Sequence, residues 1–108
     1  MERKSKAETF VGFVVRARKC KIGFNACATL KKADLMIVCK TASLNSKKEA
    51  LSLSKKLKCE LISFNEQTLE ELTHRENAKV MAVVDKSLSE AIKKEAQNEF
   101  TVVIWENN

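Results

Sequence analysis

The chain has 108 residues, 44% of them apolar and 31% charged, which is typical of one folded domain and excludes a disordered protein. No apolar run approaches the roughly 18 residues of a membrane span and the start lacks a signal-peptide stretch, so we expect a cytoplasmic protein without a membrane partner. The net charge of +6 is concentrated in residues 1–60, where fifteen Lys and Arg face five Asp and Glu, so this half is the candidate surface for a polyanion.

The first half of the chain predicts a helix, a strand, a second helix and a second strand. Apolar residues recur at helical spacing over residues 5–18 and indicate an amphipathic helix. Its apolar face consists of Phe10, Phe13, Val14 and Ala17. A short strand then ends at Gly23, and Asn25 is a candidate N-cap for a helix that reaches Lys32. The almost entirely apolar run 35–39 predicts a central strand covered on both faces.

Three capping boxes mark helix starts in the rest of the chain. In each, a Ser or Thr and a Glu three residues later satisfy free N–H groups at a helix N-terminus. The boxes are Ser46 with Glu49, Thr68 with Glu71, and Ser87 with Glu90. Strand-like runs at 60–64 and 80–84 lie between these helices. The alternation predicts an α/β fold: a three-layer α-β-α sandwich with a mixed, largely parallel central sheet of four to five strands.

The segment 99–108 predicts an additional edge strand. Its core, residues 100–105, is apolar, β-branched and nearly uncharged, and such a segment would promote aggregation if it were exposed. We expect it to pair either with the sheet of its own domain or with a second copy in a homodimer, with Trp105 packed on apolar surface. Pairing within the domain is favoured because a tethered strand needs no second molecule.

Catalytic and metal-binding patterns find no support in the sequence. His74 is the single histidine and lies in a polar stretch, and Gly23 belongs to neither a GxGxxG nor a P-loop motif. Asp85 follows a strand, but it is explained as part of the start of the next helix. The cysteines, at positions 20, 27, 39 and 59, form no CxxC pair and are expected to be reduced, mostly buried thiols. We therefore expect no enzyme activity, no metal and no cofactor.

The residues around Gly23 instead suggest an RNA-binding site. Gly23 allows the backbone to approach a phosphate closely, helix N–H groups favour anions, and the Asn25 amide can read a base edge. Phe24 is a candidate either to stack on an unpaired base or to anchor the core. Phosphate and sugar contacts are assigned chiefly to Arg18, Lys19, Lys21, Lys31, Lys32, Lys40 and Thr41.

The turn sequence itself carries a family resemblance. The family motif at the start of the second helix is Gly, any residue, Asn, Glu, two residues and Lys. Gly23, Phe24 and Asn25 match its first three positions, while Ala26 and Thr29 stand where the motif has Glu and Lys. This pattern resembles the kink-turn-binding family of large-subunit ribosomal protein seven-Ae. In that family the motif contacts tandem sheared G·A pairs of the RNA. Small bacterial members of the YlxQ type vary at these positions and are the most similar.

The resemblance extends over about residues 9–96 and includes a second segment. Cys39-Lys40-Thr41-Ala42-Ser43, followed by Asn45-Ser46-Lys47-Lys48, is similar to the strand end and helix start of the family. The resemblance implies a single RNA-binding domain over residues 1–108 that recognises structured RNA, either ribosomal or another non-coding RNA, in association with ribosome or ribonucleoprotein components. The alternative is a protein-interaction or dimerisation module that keeps the fold without specific kink-turn recognition.

Overall fold

The computed structural model describes residues 6–64, 68–76, 78–97 and 102–105. These residues alternate between helices and strands, which confirms the predicted α/β class. The helices are α1 (Lys6–Arg16), α2 (Phe24–Ala28), α3 (Leu44–Lys56), α4 (Leu69–Thr73) and α5 (Lys86–Gln97). The strands are β1 (Cys20–Ile22), β2 (Leu35–Val38), β3 (Glu60–Phe64), β4 (Val80–Val83) and β5 (Val102–Trp105). No helix in the described part of the chain is both long and apolar enough to cross a membrane.

The strands form one mixed sheet in the order β1-β4-β2-β3-β5. Every residue of β2 and β4 is buried, as expected for central strands covered on both faces. The sheet is less parallel than expected, because β2 and β3 are the one parallel pair among the described strands. Strand β4 returns antiparallel between β1 and β2, a placement that hydrophobic periodicity does not encode. Met36 shows the register, with Leu61 on one side and Ala82 on the other.

The helices fall into two groups around this sheet. Helix α1 packs against α4 and α5, and α5 in turn contacts β4. Helices α2 and α3 contact each other, with α2 against β1 and β4 and α3 against β2 and β3. The largest fully buried side chains of the core are Leu35, Met36, Ile37, Leu61, Ile62, Leu69, Met81, Ile92, Val11 and Val14. This arrangement agrees with the predicted three-layer sandwich.

The helix starts agree only in part with the predicted capping boxes. Thr68 and Glu71 form the predicted reciprocal box at α4. Helix α3 begins earlier than predicted, because the Ser43 hydroxyl, not that of Ser46, caps it by accepting from the Ser46 N–H. At α5, the Asp85 carboxylate accepts from the Leu88 N–H at 2.8 Å, so Asp85 takes the capping position expected for Ser87. The carboxylate therefore has a structural role at this helix start.

The C-terminal strand lies within the same chain. β5 runs antiparallel to β3 at the sheet edge, with Trp105 opposite Leu61 and Val102 opposite Phe64. Of the two pairings considered for this segment, the structure contains the one with its own domain. Packing of the Trp105 side chain lies outside the described residues.

Burial in α1 follows a narrower stripe than the predicted face. Val11 and Val14 are fully buried, whereas Phe13 is 42% exposed and Ala17 lies exposed beyond the helix end. The Phe13 ring contacts the Phe10 ring edge to face, and the Arg16 guanidinium lies 5.1 Å from the centroid of the Phe13 ring. Phe13 is thus a surface aromatic residue on the layer that contains α1.

The cysteines are free thiols, as expected. Cys27, Cys39 and Cys59 are buried and Cys20 is half-buried. Burial raises the pKa of both Cys27 and Cys59 to about 11, which keeps these thiols protonated and unreactive near neutral pH. Within the described ranges, no group of three His, Cys, Asp or Glu side chains is placed to hold a metal ion.

Candidate nucleic-acid interface

The Gly23 turn connects β1 to α2 at one end of the sheet. Its N–H donates to the Val80 carbonyl at 2.9 Å, and its own carbonyl accepts the first helical hydrogen bond from the Cys27 N–H at 3.0 Å. The backbone has φ 95° and ψ 152°, a conformation that essentially only glycine adopts. Gly23 is therefore the N-cap of α2, and the prediction that Asn25 caps this helix is wrong. Asn25 lies exposed inside the first turn, with its amide available to a ligand.

Lys40 and Thr41 lie at the same end of the sheet as the Gly23 turn. Val38 pairs with Val80, so β2 ends where the turn bonds to β4, and the next residues leave the sheet there. The Lys79 ammonium donates to the Thr41 hydroxyl and to the Glu70 carboxylate, each at 2.9 Å. Thr41 and Lys79 are thus engaged in a local polar network at this end.

Carboxylates compensate much of the positive charge beside this network. The ion pair with Glu70 raises the pKa of Lys79. Hydrogen bonds from Thr68, with a smaller contribution from the charge of Lys40, lower the pKa of Glu71. Lys40 and Lys79 therefore each have an acidic neighbour, which weakens the attraction of these two charges for a polyanion.

A second region, along the free edge of β1, is more strongly cationic. A groove of about 490 Å³ runs beside this edge strand between α1 and α2. The residues that line it are Val15, Arg18, Cys20, Lys21, Ile22, Ala26 and Arg75. Three of these carry a positive charge and none carries a negative one. We call this feature the β1 groove.

The pKa of Cys20 reflects the positive charge inside the β1 groove. Burial raises the pKa of its thiol, and the charges of Arg75 and Lys21 partly offset that rise. The two cations therefore act on a common point, although 54 positions separate them in the chain. Ala26, in the position where the resembled family has Glu, also lines the groove, so no carboxylate is introduced there.

Arg75 is the groove residue that sequence reasoning missed. It lies in a polar stretch after α4, where the left-handed conformation of His74, with φ 58°, ends the helix. No periodicity or motif in this stretch distinguishes Arg75 from an ordinary surface residue. Tertiary structure, in which α4 packs against α1, places Arg75 in the lining of the same groove as Arg18 and Lys21.

The remaining predicted basic residues lie at the opposite end of the sheet. The Lys19 carbonyl accepts from Val84, just beyond the end of β4. Lys31 and Lys32 precede Asp34, whose N–H donates to the Val83 carbonyl, so they also lie at that end. All three lysines are exposed, but the structure does not gather them around Gly23. Lys19 precedes β1, and Lys31 and Lys32 follow α2, which ends at Ala28 although the sequence favoured a helix as far as Lys32.

Phe24 lies at the edge of the core, as its interpretation as an anchor expects, and stacking on a base stays a prediction. It is half-buried and packs against the core, as an anchor residue does. It also lines a groove of about 320 Å³ between α2 and α3. The residues around this groove, which we call the α2–α3 groove, are Phe24, Ala28, Glu49, Ser52, Leu53 and Lys56. The predicted site residues are therefore distributed over the β1 groove, the Gly23 turn, the α2–α3 groove, the polar network around Thr41 and the opposite end of the sheet.

Comparison with known proteins identifies the fold and does not identify a function. No protein-family model matches the chain, and no curated protein matches it. A solved structure of a protein with unknown function from Bacillus halodurans C is similar, with a TM-score of 0.71 and 21% sequence identity. The match covers 85% of this chain and 97% of that one. At this identity it shows that the two proteins share an α/β fold over nearly the whole of the other chain.

Proposed function

We propose that this protein is a non-enzymatic, cytoplasmic RNA-binding domain that holds structured RNA through the β1 groove and the adjoining Gly23 turn. The observation that carries the proposal is the convergence of Arg18 and Lys21 with Arg75, which lies 54 positions after Lys21, in a groove whose described lining includes no carboxylate. Guanidinium and ammonium groups in such a groove match the phosphate oxygens of a nucleic-acid backbone. The partners would be ribosomal or other non-coding RNA and its ribonucleoprotein components.

The Gly23 turn extends this phosphate-binding surface towards the bases. Asn25 is exposed and directly precedes Ala26, which lines the β1 groove. An amide at this position can donate to and accept from one base edge, while the cations hold the backbone. The resemblance to the seven-Ae family supports structured RNA as the ligand. A glutamate in place of Ala26 would introduce a negative charge beside the cations, so the alanine favours contacts to phosphate over the family's contacts to G·A pairs.

Salt dependence tests the proposal directly. The affinity for an RNA hairpin with an internal loop, measured by fluorescence anisotropy, should fall with salt on a log–log slope of about −0.7 to −0.9 per phosphate neutralised. Lys21→Ala and Arg75→Ala should each make the slope shallower by about one phosphate contact. Lys32→Ala is the matched control, because it removes the same charge at the opposite sheet end. Absence of binding at low salt, or equal effects of all three substitutions, would contradict this site.

A dimerisation module is the second candidate function, and the position of β5 supports it. This apolar strand forms one edge of the sheet, and no described strand pairs with its outer side. An antiparallel pairing with β5 of a second copy would cover that edge. Sedimentation velocity over a range of concentrations tests the idea, which requires a dimer that is lost when residues 100–108 are removed.

A further inference from the structure

The α2–α3 groove lies beside the proposed RNA surface and has no part in the phosphate contacts described above. Phe24, Ala28 and Leu53 provide apolar walls, and the remaining described lining residues, Glu49, Ser52 and Lys56, are polar or charged. Phe24 stands directly between Gly23 and Asn25 in the turn, so the groove begins where the proposed interface reaches α2.

We infer that the α2–α3 groove accepts one unpaired nucleobase of the bound RNA, stacked against Phe24; the inference rests on the proposed RNA-binding function. An aromatic ring beside a basic side chain is the usual arrangement for holding a base extruded from a strand, since the ring stacks on the base and the cation contacts the phosphate. Lys56 supplies that cation here.

The size of the groove favours a base over a protein segment. A volume of about 320 Å³ lies at the lower limit of pockets that enclose small organic ligands, which suits one flat ring system. A protein partner that forms a stable complex generally buries more than about 1,000 Å² in total, far more than six residues around one groove provide. The groove itself is neutral, with Glu49 and Lys56, so the positive charge that attracts the RNA is that of the β1 groove on the other side of the Gly23 turn.

Two substitutions test the groove in different ways. Phe24→Leu removes the aromatic face but leaves an apolar side chain against the core. Ala28→Leu starts from an exposed position, so it fills the groove without removing any core contact. Phe13→Leu is the matched control, because it makes the same change at an exposed phenylalanine on the α1 layer. Circular dichroism and thermal melting establish that each variant is folded.

The probes are an oligouridine of about ten nucleotides, within the span of a single-stranded site, and a short RNA duplex without unpaired bases. Stacking contributes about 1–3 kcal/mol per base, so each groove variant should bind oligouridine about 5- to 150-fold more weakly than the wild type. Duplex affinity and the salt slope should not change, because no charge has been removed. Phe13→Leu should bind both probes as the wild type does.

The outcomes separate this inference from the proposed function. If both folded groove variants bind oligouridine normally, or lose affinity for oligouridine and duplex equally, the groove is not a base site. If the wild type binds the structured hairpin with a steep salt slope but does not bind oligouridine, the inference fails and the proposed function stands. If the wild type binds none of the three RNAs at low salt, both fail.

Discussion

The Gly23 turn allows a direct test of the structure, because its backbone conformation disfavours every residue other than glycine although no distant atom occupies the space of a side chain. With φ 95° and ψ 152°, Gly23 lies in a region that a residue with a Cβ enters at a cost of about 1–3 kcal/mol. An added Cβ would lie more than 4 Å from every atom outside Gly23 and its two chain neighbours, so Gly23→Ala tests the cost of the backbone conformation alone. The hydrogen bond from Gly23 to Val80 holds the turn in this conformation.

The expected magnitude follows from two opposing terms. Alanine restricts the unfolded chain and thereby returns about 0.4–1 kcal/mol of stability, which partly offsets the backbone cost. At the midpoints of these two ranges, the free energy of unfolding should therefore fall by about 1.3 kcal/mol. For a domain of this size, such a loss corresponds to a melting temperature lower by about 5–10 °C.

Gly12→Ala is the matched control, since it makes the same chemical change where the backbone is helical. Gly12 lies inside α1, and an added Cβ there also meets nothing within 4 Å. This substitution should stabilise the protein by about 0.5–1 kcal/mol, because glycine is costly in a helix. Urea unfolding followed by circular dichroism measures both changes. If the two substitutions shift stability in the same direction, the reasoning about the turn is refuted.

Three further predictions concern the site, the sheet edge and the buried thiols. Asn25→Ala should weaken binding of the preferred structured RNA by about 1–3 kcal/mol and leave unfolding unchanged, because Gly23 rather than Asn25 caps α2; equal losses on a plain duplex would show that it reads no base. Deletion of 100–108 should lower the melting temperature, because β5 pairs with β3 in the same chain; an unchanged value would contradict that pairing. Burial raises the pKa of Cys27 and Cys59 from an ordinary 9.0 to about 11. The unfolded chain therefore loses these two protons at lower pH than the folded protein does, and the free energy of unfolding should fall as pH rises from 9.0 to about 11. The variant Cys27→Ala/Cys59→Ala keeps Cys20, whose pKa is also raised, so its urea midpoint should decline less than that of the wild type over this pH range; an equal decline in both would contradict the assignment.

Local signals in the chain determined most of the secondary structure. The strand predicted at 60–64 has those bounds in the structure, and the Thr68 box caps α4 as expected. Both depend on neighbours within a few residues, which a sequence displays directly. The misplaced caps show the limit of this reasoning. At the starts of α3 and α5 more than one polar residue can cap the helix. Which of them does so depends on the position and direction of the chain where the preceding strand ends.

The sequence by itself thus determined the α/β class, the central strand β2 and the glycine at the β1–α2 turn, because periodicity, capping and a required backbone conformation are local properties. Tertiary structure alone decided the antiparallel insertion of β4 and the composition of the β1 groove. Arg75 joins Arg18 and Lys21 there, while Lys31 and Lys32, closer to Gly23 in the chain, lie at the other end of the sheet. The physical reason is that strand order and direction set which loops meet, and these are fixed by the packing of distant segments into one core.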